Sequence, residues 1–209
     1  MFEIKDLKYK NILNIKYLAI PEHKINCIVG QSGSGKTTLM RMLNKLISPD
    51  AGTILFEGKN LSNIDSVELR RKVVMLPQAP IIFDGSIREN LQIGFRFAEK
   101  IEATEAIMLE VLKLVHLNKS LDENADKLSG GEKQRLSLGR IILLNPDVFL
   151  LDEPSSALDE DTEQLIIKAV VEYSKKNNKT VIMVTHSKKV ASTFADNIIE
   201  IKSGQLMEE

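Results

Sequence analysis

GQSGSGKTT, Gly30–Thr38, decides how this chain folds. It fits the pattern G-x-x-x-x-G-K-T in full, with Gly30, Gly35, Lys36 and Thr37 at the fixed places. Glycines at 30, 33 and 35 let successive backbone N–H groups curl around the β- and γ-phosphates of a nucleotide without side-chain clash. The helix that follows adds roughly half a positive charge at its start. Lys36 is placed to meet those phosphates as a compact cation, and the Thr37 hydroxyl to ligand Mg²⁺. The flanks agree. Ile25–Val29 reads as a short buried strand ending at Gly30, and Thr37–Leu46 sets Leu39, Met42, Leu43 and Leu46 at helical spacing. Ser48-Pro49-Asp50 and Gly52 are the expected stop of that helix.

Outward from this loop, apolar segments at Phe2–Ile4 and Leu18–Ile20 predict N-terminal antiparallel β strands. From Ser86 the pattern turns helical. Ser86 is an N-cap with Glu89 three residues later, and Ile107, Val111, Leu114 and Val115 mark an apolar stripe. Strand patterns return at Val148–Leu151, Val181–Val184, Ile198–Ile201 and Leu206, with a helix around Glu163–Tyr173. Strands separated by helices predict a mainly parallel α/β core, about 1–78 and 145–209, with a helical subdomain inserted at about 79–144. No period of 20 to 50 residues recurs, so 1–209 reads as one unit.

The second chemical motif is DVFLLDEP, Asp147–Pro154, an apolar strand delivering two carboxylates at its end, where open α/β sheets bind ligands. Asp152 is placed to hold Mg²⁺, and Glu153 to act as general base toward an attacking water. Acidic residues also cap strands for structural reasons, and it is the pairing with the glycine loop that gives these two weight.

Size and composition bound the remaining possibilities. The 209 residues are 43% hydrophobic, enough for one sizeable core. Twenty-eight basic and 29 acidic side chains leave a net charge of −1, so no overall field draws the chain to nucleic acid or anionic lipid. Cys27, the single cysteine, makes neither an internal disulfide nor a zinc site and reads as a small strand residue in a reducing compartment. MFEIKDLKYK has no apolar signal region, and the longest apolar runs fall far short of the ~20 residues that cross a bilayer. A cytoplasmic chain is expected, and at a membrane another chain would supply the spans.

LSGGEKQR, Leu128–Arg135, separates this chain from other proteins with the first two motifs. Ser129 and Glu132 form a capping box, but a capping box does not require Gly130 and Gly131 in a helical first turn, where each costs about 1 kcal/mol relative to alanine. A bare helix start that approaches an anion accounts for both glycines. This octet resembles the signature of ABC ATPases, and with the motifs from Tyr9 to His186 the whole chain resembles the nucleotide-binding subunits of ABC transporters.

The resemblance implies the P-loop ATPase fold of that family, ATP and Mg²⁺ as ligands, and ATP hydrolysis. It implies nucleotide contacts along Gly30, Ser32, Gly33, Ser34, Gly35, Lys36, Thr37 and Thr38. Tyr9 falls where the family stacks an aromatic on adenine; read without it, Tyr9 is equally an N-terminal core or surface tyrosine. Gln78, in LPQAP, falls at the loop that joins the Mg²⁺ and water shell and links the site to the helical subdomain. Asp159, in SALD, belongs to a loop crossing the dimer interface, and His186, after VIMVT, to a switch histidine that contacts the γ-phosphate and orients Glu153. His23 and His116 match nothing and read as structural.

By the same resemblance two subunits sandwich two ATP molecules, each held by Lys36 of one chain and by Ser129, Gly130 and Gly131 of the other. Intact motifs favour a two-fold homodimer, with a heterodimer as the alternative. A membrane permease subunit is the other implied partner, received near QAPIIFDGSIREN, Gln78–Asn90, on the cytoplasmic face. Ile81, Ile82 and Phe83 there read either as an exposed docking surface or as subdomain core. A soluble ABC ATPase acting on nucleic acid or ribosomes is the competing class, disfavoured by near-neutral charge and a single ATPase unit. A small-molecule P-loop kinase leaves LSGGEKQR unexplained. SSALDE, Ser155–Glu160, and the short helical segment most resemble ATPases of small bacterial exporters of iron or other metals.

Overall fold

Alternating burial along FEIKDLKY makes Phe2–Tyr9 (β1) a strand with Phe2, Ile4 and Leu7 inward, and LNIKYLAI does the same for Leu13–Ile20 (β2). The computed structural model describes residues 1–207; Glu208 and Glu209 of the expected 1–209 unit lie outside the described residues. β1 pairs antiparallel with β2, Phe2 opposite Ile20, and on its other edge with Ala51–Phe56 (β4), which continues into Lys59–Asn60 (β5). The N-terminal antiparallel strands predicted from sequence thus form a sheet of their own, in the order β2-β1-β4-β5.

The second sheet carries the site. It comprises Ile25–Val29 (β3), Val73–Leu76 (β6), Val148–Asp152 (β7), Thr180–Val184 (β8), Asn197–Lys202 (β9) and Gln205–Leu206 (β10), in the order β10-β9-β3-β8-β7-β6. The pairs β9-β3, β3-β8, β8-β7 and β7-β6 are parallel, and β10 alone runs antiparallel at the edge. β7 and β8 are buried at every position, as strands covered on both faces must be. Each fully buried aliphatic side chain there contributes about 1.5–3 kcal/mol.

Helices between the strands are Lys36–Leu43 (α1), Ser66–Lys72 (α2), Ile87–Ala98 (α3), Glu105–Leu114 (α4), Gly130–Leu144 (α5), Glu160–Lys176 (α6) and Lys188–Phe194 (α7). α3, α4 and α5 all fall between β6 and β7, and α3 and α5 both begin with complete capping boxes, Ser86/Glu89 and Ser129/Glu132.

Two sequence expectations need correction, and one stretch carried no expectation at all. α1 stops at Leu43, not Leu46: Lys45 is left-handed (φ 51°), Leu46 N donates to Arg41 O at 2.8 Å and Lys45 N to Met42 O at 2.9 Å. This is a Schellman stop, which ends the helix before Ser48-Pro49-Asp50 is reached. The helical pattern expected from Ser86 is met by α3, which starts at Ile87 on the Ser86 cap, while Pro80 and the left-handed Gly85 (φ 122°) keep 77–86 irregular. The buried stripe of α4 and its cap is Met108, Val111, Leu112 and Val115; Ile107 is 47% exposed. The hairpin β4-β5, α2 and β6 lie in a stretch for which the sequence reading offered no elements.

Candidate functional site

Four adjacent parallel strands end on the same edge. The carboxyl end of β3 leads into the glycine loop, β8 into His186, β7 into Glu153 and β6 into Gln78, in spatial order β3-β8-β7-β6. The edge of an open α/β sheet is where loops diverge and leave a crevice. Here it holds a cavity of about 400 Å³ lined on one side by Ser32, Gly33, Gly35, Lys36, Thr37 and Thr38, and on the other by Gln78, Glu153 and His186.

Within the loop, glycine serves two different ends. A Cβ on Gly30 (φ 146°) would lie 2.1 Å from the Ile201 carbonyl oxygen of β9, so this glycine is required by the neighbouring strand. A Cβ on Gly33 (φ 77°) would meet nothing within 4 Å; it faces open space in the cavity. Gly30 and Ser34 do not line the cavity. Ser34 is buried with its hydroxyl unpartnered beside Gly30, and its carbonyl accepts from Gly204 N at 3.1 Å.

Lys36 is buried, and its ammonium donates to the carbonyls of Gly30 (2.9 Å) and Gln31 (2.8 Å), fixing the curl of the loop. Desolvation lowers its pKa below the usual lysine value, opposed by the charges of Glu153 and Asp152. Asp152 is 2% exposed and accepts from the Thr37 hydroxyl at 3.0 Å. Burial raises its pKa above the usual carboxylate value, against the Thr37 hydrogen bond.

Glu153 is gripped at both oxygens. Gln78 Nε2 donates to Oε2 at 2.9 Å, and His186 Nε2 lies 2.9 Å from Oε1. Glu153 itself is in the left-handed region (φ 50°), where a non-glycine residue is held only by its surroundings. Its N–H donates to Val184 O of β8 at 3.0 Å.

The remaining expected residues stand elsewhere. Tyr9 is not in the cavity; it is half-buried against the N-terminal sheet, with Lys10 Nζ 5.1 Å from its ring centroid. Ile12, which the sequence reading passed over, does line the cavity, and its N–H donates to Tyr9 O at 3.0 Å across the turn. Ser129 caps α5, Gly130 is exposed, and none of Ser129, Gly130 and Gly131 reaches this chain's own cavity. Asp159 caps α6, accepting from the Thr162 N–H (3.0 Å) and hydroxyl (2.7 Å). Gln134 was also missed, although its spacing with Leu138 and Ile141 puts a glutamine on an apolar helix stripe.

The arrangement suits a nucleoside triphosphate with Mg²⁺. Thr37, Asp152 and Gln78 offer only oxygen ligands of the kind a hard cation takes, and among the described residues no group of three or more His, Cys, Asp or Glu would hold a metal by itself. A metal completed by substrate phosphates is the common Mg²⁺ arrangement.

Fold and site together define a P-loop ATPase core with a helical segment carrying a glycine-rich helix start. The chain belongs to the ABC transporter family, whose model matches residues 13–156. Protein STAR1 of Oryza sativa subsp. japonica is 39% identical over 91% of this chain, which spans 55% of that protein. ABC transporter I family member 17 of Arabidopsis thaliana is 36% identical over 90% of this chain and 72% of its own length. Among solved structures, the dimeric ATP-binding cassette MJ0796, in a post-hydrolysis state with ADP and Pi, matches with TM-score 0.87 and 28% identity over 100% of this chain and 97% of its own.

Proposed function

We propose that this chain is the ATP-binding and ATP-hydrolysing subunit of an ABC transporter, working as a dimer closed around two Mg-ATP. The observation that carries the reading is the Glu153 carboxylate held between Gln78 and His186 at the mouth of the glycine-loop cavity. Glu153 takes a proton from the attacking water as its oxygen bonds to the γ-phosphorus and the bond to the β–γ bridging oxygen breaks. ADP leaves with that oxygen, and the proton passes to phosphate. Gln78 and His186 orient the carboxylate, and Lys36 with the loop amides binds the β- and γ-phosphates. Mg²⁺, held by Thr37, Asp152 and Gln78, would neutralise phosphate charge.

Ser129, Gly130 and Gly131 stand apart from this chain's own cavity, which supports a role on the nucleotide of a second protomer. The dimeric cassette it resembles supports the same assembly. Asp159 would lie along that interface, and Tyr9, linked to Ile12 through the turn, would face adenine. ATP favours the closed dimer only by binding it more tightly, and hydrolysis removes that preference.

A membrane permease is the proposed second partner. A groove of about 300 Å³ lies under Ile81, Phe83 and Phe97, edged by Arg71 and Arg140. Ile81 and Phe97 are 53% and 68% exposed, and the groove adjoins the segment that follows Gln78. No helix among the described residues is long and apolar enough to cross a membrane. In this reading the chain docks against that partner from the cytoplasmic side.

Glu153→Gln tests the chemistry. Its ATP affinity should stay within about twofold while kcat falls by about 10²-fold or more, measured by phosphate release. Light scattering should show a dimer mass with ATP. An undiminished kcat removes Glu153 from the role of base, and a monomer mass at saturating ATP removes the dimer.

A further inference from the structure

We infer that Gln134 is a positioning residue that holds the loop bearing Glu153 against α5, an inference that rests on the proposed role of Glu153 as base. Gln134 is 2% exposed and spends both ends of its amide on one turn of chain. Its Nε2 donates to the Glu153 carbonyl at 3.0 Å, and its Oε1 accepts from the Ala157 N–H at 3.1 Å. The turn is thereby clamped from both ends, while Glu153 N is fixed to β8 on the opposite side. Glu153 keeps a left-handed backbone that its own side chain does not favour. The clamp is what such a conformation needs in order to persist, and the conformation sets where the carboxylate points.

The same face of α5 holds a second segment. Ser137 Oγ and Arg140 donate to Ile81 O at 3.3 and 2.9 Å, and Arg140 also donates to Asn90 O at 2.8 Å. Positions 134, 137 and 140 lie three residues apart and share one side of the helix. One rigid element therefore fixes the loop of Glu153 and the stretch that follows Gln78, so Gln78 and the Glu153 carboxylate it donates to are registered to each other through α5.

The test compares Gln134→Ala and Gln134→Met in the full chain. The second keeps the side chain's length and burial and loses both hydrogen bonds, and it carries the experiment where the alanine variant fails to fold. Both should lower kcat by about 10- to 100-fold while the KM for ATP stays within about twofold. Amide hydrogen exchange of residues 153–158 without nucleotide should quicken. Added to Glu153→Gln, either change should leave the residual single-turnover rate where it was, since a residue acting only through Glu153 has nothing left to position. Wild-type kcat and exchange, or losses that add fully to those of Glu153→Gln, would overturn the inference. A Glu153→Gln protein hydrolysing at the full rate sinks the assignment of the base instead, and exchange of 153–158 still decides whether Gln134 holds the turn.

Discussion

Asp152 sits where stability and function pull in opposite directions. Its carboxylate is buried, and burial raises its pKa above the ordinary value of 3.8. The folded state therefore holds the proton more tightly than the unfolded one. Stability from this group is lost as pH rises from 3.8 through the raised value, and at neutral pH the ionised carboxylate costs stability. Asp152→Asn keeps an acceptor for Thr37 and removes the charge. Its nucleotide-free melting temperature should exceed that of the native chain at neutral pH, and the gap should close below the ordinary carboxyl range. A gap that persists in acid would mean that packing, not charge, sets the difference. The same change should abolish Mg²⁺-dependent hydrolysis, as expected where a charge is kept for a ligand. At this scale Asp152 and Lys36 were legible because they sit inside contiguous motifs. Ile12 and Gln134 were not, because an isoleucine in a turn and a glutamine in a helix announce no chemistry until their neighbours are placed.

Two helices begin with the same device and are put to different uses. Ser86 and Ser129 each cap a helix through a complete capping box, with Glu89 and Glu132 as reciprocal partners. Loss of the serine side chain should cost about 1 kcal/mol in either case, read from urea unfolding. Only Ser129→Ala should also slow ATP hydrolysis, because only that helix start is followed by two glycines and left open to a phosphate. Equal hydrolysis in the two variants would reduce LSGGEKQR to a helix start. Both caps were readable in advance, since a capping box is a pattern of four adjacent residues. The end of α1 was not, because its stop depends on Lys45 adopting a left-handed conformation that composition does not foretell.

Across the whole molecule, the groove beside α3 and the ATP cavity are joined by α5, whose residues Ser137 and Arg140 line the groove while Gln134 holds the Glu153 loop. Phe97, packed edge-on to Phe83 at 6.0 Å between centroids, is the most exposed aromatic of that groove. Phe97→Asp should prevent a multi-span membrane protein from co-purifying in mild detergent, with a melting temperature equal to the native chain's as the check on folding. Undiminished co-purification would place the docking surface elsewhere. The sequence alone determined the phosphate chemistry and the family, because GQSGSGKTT, DVFLLDEP and LSGGEKQR each act as a local unit whose geometry is set within a few residues. The family resemblance already paired His186 with Glu153, and only the tertiary structure decided that Gln78, Glu153 and His186 meet with Gln78 and His186 on opposite oxygens of one carboxylate. They are brought together because β6, β7 and β8 lie side by side and parallel. Strand order is fixed by burial over the whole sheet, and no local stretch of sequence carries it.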